Sequence, residues 1–160
     1  MAFSIQITGM EELIRAFNKL PEKAEEVAAK ALYDGAGVMA DSVSQAVQGI
    51  ATEPFKYAAG GRKRKPSPEE KAILSNAKKG VAKFRKNGVS VQTSVGMQNA
   101  GYAELNGKTK PIPLIANSIN SGTSFMQKQP FMRKAFSKNN AAKAAIEAGI
   151  KTYEKELEID

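Results

Sequence analysis

The chain of 160 residues contains no cysteine and no histidine. Without cysteine it can form neither disulfides nor thiolate metal sites, so we expect it to fold in a reducing cytoplasm. Without histidine it lacks the commonest general base and metal ligand, which excludes Ser/His/Asp, Cys/His and zinc chemistries. The 16 acidic residues lie mostly beside lysines in helical patterns, which is typical of a solvated surface. We therefore expect a protein that is not an enzyme and that has no metal or cofactor.

Long apolar runs are also missing. No stretch approaches the ~20 apolar residues needed to cross a bilayer, so no membrane contact is expected. Residues 1–8 lack the basic region and apolar run of a signal peptide. The length, with 42% hydrophobic residues, suits a single domain over 1–160.

Positive charge is concentrated in one part of the chain. Residues 62–86 hold ten basic and two acidic residues and so carry the whole net charge of +8. Four of the cations are consecutive: Arg62, Lys63, Arg64 and Lys65. They are candidates for docking onto an acidic protein or for contacting phosphate with counterion release. A solvated loop without a partner is the third interpretation.

The first half of the sequence predicts a strand, two helices and a loop. Apolar and polar residues alternate over 3–8, as in a strand with one buried face. Helical spacing follows over 13–20, and a long alanine-rich stripe predicts a helix over about 22–47. The proline- and glycine-containing stretch 49–68 predicts a long basic loop, and Ser67 with Pro68 predicts the capped start of a short helix.

The second half predicts a hairpin and two further helices. Strands are predicted over 81–84 and 89–95, across an Asn87-Gly88 turn. Residues 102–105 favour a short strand or turn, 106–121 a loop, 130–136 a short helix and 140–157 the last helix. This order predicts an α+β fold with a small antiparallel sheet, a long helix packed across it and a C-terminal helix.

The run 122–136 places two apolar pairs around a proline corner. Phe125-Met126 precedes the corner and Phe131-Met132 follows it, and Pro130 disfavours helical geometry at the residue before it. The run is therefore expected to end an extended piece and to start a helix. It either closes the core or lies at a subunit boundary. The candidate interface residues are Gly122, Thr123, Phe125, Met126, Gln129, Pro130 and Phe131.

These motifs together resemble the tail-completion, or head–tail joining, family of siphophage morphogenesis proteins. The resemblance extends over nearly the whole chain. The matching segments are Gly9-Met10-Glu11-Glu12-Leu13, the alanine-rich stretch 24–47, Tyr102-Ala103-Glu104-Leu105, Gly122-Thr123 and Gln129-Pro130-Phe131-Met132-Arg133-Lys134-Ala135-Phe136. In the family, the segments matched here by residues 102–105 and by Gly122-Thr123 form one nearly continuous motif. The resemblance therefore implies that a loop is inserted between them at about 106–121.

The resemblance implies a structural virion protein of the phage neck. Its relatives form rings, hexameric in some, that cap the tail tube and join it to the head. The implied partners are other copies of the chain, the tail tube protein and a head-side neck or connector protein, with non-specific contact to packaged DNA. The implied location is the virion, after assembly in the host cytoplasm.

The alternative function is a small basic nucleic-acid-binding protein that uses the segment 62–86. Such a protein should gather its positive charges on one folded face. In the sequence the excess cations are confined to a loop and the short elements after it, which favours the neck protein.

Overall fold

The computed structural model describes residues 2–7, 21–57, 60–81, 85–86, 91–97, 100–137 and 139–158. Within them lie six strands: β1 (Ala2–Ile7), β2 (Gly80–Val81), β3 (Arg85–Lys86), β4 (Val91–Gly96), β5 (Tyr102–Leu105) and β6 (Lys108–Pro111). Five helices accompany them: α1 (Pro21–Gln48), α2 (Pro68–Asn76), α3 (Ile112–Ser121), α4 (Phe131–Phe136) and α5 (Asn139–Glu158). The fold is α+β, as predicted. The predicted helix over 13–20 and the Asn87-Gly88 turn lie outside the described residues.

The chain groups into two compact units. Unit 1 is built mainly from Asp41–Gly80 and Gly96–Ser137. Unit 2 is built from Phe3–Ala40, Val81–Val95 and Lys138–Asp160. The single domain over 1–160 stays a prediction.

In unit 2, α1 packs against α5 through small residues. A Cβ added at Gly149 would lie 3.2 Å from the Cα of Ala31, so the two backbones are in close contact. The Tyr153 hydroxyl lies 3.1 Å from Asp34 Oδ2, and Lys30 lies over the Tyr153 ring. The alanine-rich stripe thus serves helix–helix packing. The predicted contact of α1 with the sheet would involve the side chains of β1. These side chains lie outside the described part of the chain.

Two glycines of α1, Gly35 and Gly37, provide a matched test of this packing. At Gly35 an added Cβ would overlap the Ile146 side chain and lie 3.2 Å from the Ala142 carbonyl oxygen. At exposed Gly37 it would meet no described atom within 4 Å. Alanine raises helix propensity by ~1 kcal/mol at either position. We expect Gly37→Ala to stabilise the protein in urea unfolding, and Gly35→Ala to be less stable than Gly37→Ala by roughly 1–3 kcal/mol because it overpacks the contact. Equal stability of the two variants would contradict close packing at Gly35.

The strands form two sheets. One has the order β1-β4-β2, and β3 pairs antiparallel with β4. The other is the hairpin β5-β6, in which Leu105 pairs with Lys108. Its turn residues Asn106 and Gly107 have φ of 52° and 68°, the left-handed pair that a two-residue hairpin turn requires.

The predicted loop at 106–121 is wrong. Residues 108–111 are strand β6 and residues 112–121 are helix α3. The side chains of Ile112, Ile115 and Ile119 are buried, which gives α3 an apolar face at helical spacing. The two prolines lie at the N-cap and in the first turn of α3, where proline is tolerated, and tertiary burial outweighs the asparagines that disfavour helix in this stretch.

The ends of α1 and α2 in unit 1 are closed by side chains. Ser67 accepts the backbone N–H of Glu70, and Glu70 accepts that of Ser67, so the predicted cap is a reciprocal capping box. Beyond the C-terminus of α1, the Lys71 ammonium donates to the carbonyls of Gln48 at 2.6 Å and Ile50 at 3.1 Å. Lys79 donates to the carbonyls of Leu74 and Ser75, at the end of α2. Two cations of the basic segment thus satisfy carbonyl groups at helix ends, where positive charge is favourable.

Candidate docking and anion-binding surface

One arginine of the basic run is a structural residue. The Arg64 guanidinium makes two hydrogen bonds to the Glu70 carboxylate, each 2.8 Å. The two side chains are only 10% and 4% exposed. Because Glu70 also accepts the Ser67 N–H at 2.7 Å, the loop before α2 is tied to the first turn of that helix.

The electrostatics of this pair depend on opposing effects. Burial alone raises the pKa of Glu70, but the hydrogen bonds from Arg64 and from the Ser67 N–H outweigh it, and the pKa of the carboxyl lies below its usual value. The Glu70 carboxylate is therefore ionised at neutral pH, and its negative charge balances the positive charge of Arg64.

The two segments singled out by the sequence lie side by side. The Arg64 N–H donates to the Phe125 carbonyl at 2.9 Å, and the Gln127 N–H donates to the Arg64 carbonyl at 2.8 Å. Together they make a parallel bridge between Arg64 and Met126. The basic loop and the extended piece before α4 thus form one surface of unit 1.

The predicted interface residues divide between the core and this surface. Met126 and Phe131 are buried and belong to the core of unit 1. Thr123 closes a local turn, since its hydroxyl accepts the Met126 N–H at 2.9 Å. Phe125 is 56% exposed, and Gln129 and Pro130 are half-buried. The exposed part of the candidate interface is therefore smaller than the sequence predicts.

The backbone of this run is fixed on both sides of Pro130. The Gln129 N–H donates to the Ile119 carbonyl at 2.8 Å, and the Met132 N–H donates to Asn120 Oδ1 at 3.1 Å. Gly122 has a φ of 76°, and a Cβ there would lie 3.1 Å from the Lys128 nitrogen. Both the left-handed conformation and this close approach require glycine.

The four consecutive cations predicted to contact a partner fall into two groups. Arg62, Lys63 and Lys65 are exposed, while Arg64 is held by Glu70. The side chains of the last three cations of the segment, at positions 83, 85 and 86, lie outside the described residues.

Sequence reasoning missed residues that complete the surface. Two exposed aromatic side chains, Phe55 and Tyr57, lie in the basic loop with 5.4 Å between ring centroids. Arg64 lies over the Phe55 ring at 5.0 Å. Lys108 and Lys110 approach from β6. The hairpin brings these lysines in from a distant part of the chain, so only the aromatic residues beside the cations could have signalled the site.

Two clefts open on this surface. The first, of about 530 Å³, lies over the four basic residues 62–65 together with Glu53, Lys56, Tyr57 and Gln127. The second, of about 490 Å³, lies between the basic loop and the β5-β6 hairpin, beside Phe55, Phe125, Lys108 and Lys110. Lys56, Tyr57 and Arg64 border both clefts.

The two carboxylates of the clefts already have partners. Glu53 accepts the Lys65 N–H at 2.7 Å and contacts the Lys56 ammonium at 3.4 Å. The Lys65 N–H is the largest influence on the pKa of Glu53, which is lowered. Glu70 is paired with Arg64. The remaining charged groups of both clefts are cations, so the surface suits an anionic partner.

In the described part of the chain, no group of three or more acidic side chains is placed to hold a metal ion. No helix of the described residues combines the length and apolarity needed to cross a bilayer. Comparisons with protein-family models, curated proteins and solved structures found no match to this chain.

Proposed function

We propose that this protein is a non-enzymatic structural protein of the phage neck, which forms a ring that caps the tail tube and joins it to the head. The main support is the exposed surface of unit 1, where the basic loop and the extended piece before α4 pair through Arg64 and Met126. Exposed aromatic rings beside cations are typical of protein interfaces. The resemblance of other segments of the chain, among them Gly122-Thr123 and residues 129–136, to tail-completion proteins adds the biological setting.

The proposed partners are neighbouring copies in a ring, hexameric in relatives, with the tail tube protein on one side and a head-side connector protein on the other. A ring needs two different patches on each subunit, because each interface joins unlike surfaces. The proposed location is the virion, after assembly in the host cytoplasm.

The residues that would contact a partner are fewer than the sequence proposes. We assign contact to the exposed residues Phe125, Arg62, Lys63 and Lys65. Met126, Phe131 and Arg64 would support this surface from beneath, because they are buried or paired within unit 1.

The test is a head–tail joining assay with Arg62, Lys63 and Lys65 changed together to serine while Arg64 is kept. We expect joining to fall roughly tenfold or more, since the cations that attract an acidic partner are lost. The matched control changes Lys134, Lys143 and Lys151 to serine, since these lysines are also exposed. Unchanged joining in the first variant would remove the loop from the proposal. Mass photometry that finds only monomers, alone and with tail tubes, would overturn the ring.

The alternative function is a small basic nucleic-acid-binding protein. One observation favours it: Lys108 and Lys110 join Arg62, Lys63 and Lys65 around two neighbouring clefts, so these cations do gather on one face of unit 1. The site differs from the predicted segment 62–86, because it includes β6 and leaves Lys71 and Lys79 at helix ends.

A further inference from the structure

Tyr57 stands between the two clefts. It is 86% exposed and borders both of them, and each cleft has a volume near 500 Å³. An aromatic side chain so exposed gains little from the protein's own core. Its ring is accessible to a ligand in either cleft.

The charges around Tyr57 select an anion. Lys63 borders the first cleft, and Lys108 and Lys110 border the second. Lys56 borders both, but its ammonium is paired with Glu53. Both nearby carboxylates are neutralised by pairing within the protein. A chain of phosphates that passed from one cleft to the other would meet cations in both.

The aromatic residues distinguish between anionic partners. Phe55 and Phe125, 42% and 56% exposed, contribute two further rings to the second cleft. In a nucleic-acid duplex the faces of the bases are covered by their neighbours, whereas an unpaired base can stack on a protein ring. An acidic peptide would match the lysines but has no regular supply of flat rings between its charges. A cationic path with exposed rings between its cations is the arrangement that single-strand binders use.

We propose that the two clefts beside Tyr57 bind single-stranded nucleic acid, with unpaired bases stacked on Tyr57 and phosphates held by Lys63, Lys108 and Lys110. This site shares Lys63 and Phe125 with the proposed docking surface, and it rests on the alternative function, for which it names the kind of nucleic acid. It concerns one subunit and requires neither a ring nor a tail.

The test is fluorescence anisotropy of the purified full chain with a labelled oligothymidylate of about 12 nucleotides. We expect Tyr57→Ala to weaken binding roughly 5- to 150-fold, the loss typical of one stacked base. Tyr57→Phe should keep most of the affinity, since phenylalanine retains the ring. Tyr102→Ala is the matched control: Tyr102 is also exposed, borders neither cleft, and should change affinity by no more than about twofold.

The contribution of the lysines is measured separately, from the salt dependence of binding. Log affinity for a single strand falls with log salt by about 0.7 per phosphate contact. Lys108→Ala and Lys110→Ala should each reduce that slope by about 0.7, and Lys134→Ala, at an exposed position outside the clefts, should leave it unchanged.

Competition identifies the partner. Unlabelled single strand should displace the probe at lower concentrations than a duplex of the same length or polyglutamate of equal charge. Equal or better competition by the duplex or by polyglutamate would overturn the proposal, and so would equal affinity of Tyr57→Ala and the unmodified protein. Circular dichroism of each variant separates lost binding from lost folding. Since Tyr57 is exposed, its variants are expected to fold normally.

Discussion

Replacing Arg64 by methionine is expected to lower the free energy of unfolding by about 3–5 kcal/mol. Methionine keeps most of the side-chain volume but leaves the Glu70 carboxylate buried without its guanidinium partner. The measurement is urea unfolding followed by far-ultraviolet circular dichroism. The control is Lys63→Met, because Lys63 immediately precedes Arg64 and its side chain is exposed. It should change stability by no more than about 0.5 kcal/mol.

A second substitution identifies the cause of that loss. Arg64→Met combined with Glu70→Gln removes the buried charge, while the glutamine oxygen can still accept the Ser67 N–H. We expect the double variant to recover most of the stability. If it is no more stable than Arg64→Met alone, the loss comes from packing and not from the unpaired carboxylate.

The pH dependence gives an independent check on the pair. The pKa of Glu70 is lowered in the folded protein, so its contribution to stability is complete above the unfolded value of roughly 4.3. That contribution is lost as the pH falls through the lower folded value. In Arg64→Met burial is no longer offset by the guanidinium, so the pKa of Glu70 rises relative to the unmodified protein. The stability difference between the two proteins should therefore shrink in acid. A constant difference from pH 7 to about pH 3 would contradict this account.

Replacing Phe131 by alanine is expected to cost about 3–5 kcal/mol. Phe131 begins α4, is 2% exposed, and is among the largest fully buried side chains of the described residues. Its removal would leave a cavity in the core of unit 1. The matched control is Phe125→Ala, because Phe125 lies in the same run but is 56% exposed. It should cost no more than about 0.5 kcal/mol in the same urea experiment.

Comparable losses in the two phenylalanine variants would contradict this division of the run. If the division holds, Phe125→Ala is a folded protein that lacks one ring of the second cleft. It can then report on binding without the uncertainty of a destabilised core.

Much of the fold could be predicted because local patterns coincide with tertiary burial. Helix α1 spans residues 21–48, close to the helix over about 22–47 that the alanine-rich stripe predicts, and Ser67 with Pro68 starts α2 as predicted. In both cases the residues that favour the element locally are also those that pack or cap it. Phe131 follows the same rule at the start of α4, one residue after the proline corner.

The missed features depend on contacts between distant parts of the chain. Asn120 disfavours a helix in isolation, but in α3 its side chain accepts the Met132 N–H. The Arg64–Glu70 pair depends on the path of the loop, so adjacent cations in one run acquire different roles. Lys108 and Lys110 reach the basic loop only because a hairpin and a helix replace the predicted loop. The sequence therefore predicts which types of residue form the candidate site, but not which individual residues belong to it.

The internal pairing of the basic loop also affects the entropy of association. The Arg64 side chain binds Glu70 of α2, and the Arg64 backbone hydrogen-bonds to the backbone of Phe125 and Gln127 in the extended piece. Glu53 accepts the Lys65 N–H and so connects the two ends of the loop. Fixing one residue's backbone costs roughly 1–2 kcal/mol, and here that cost is met when the protein folds. A partner would meet Lys63 beside residues 64 and 65, whose backbone is already held in place by these contacts, so more of its contact energy would appear as affinity. Releasing the loop at Arg64 would then weaken binding, even though the Arg64 side chain is only 10% exposed and its guanidinium is paired with Glu70.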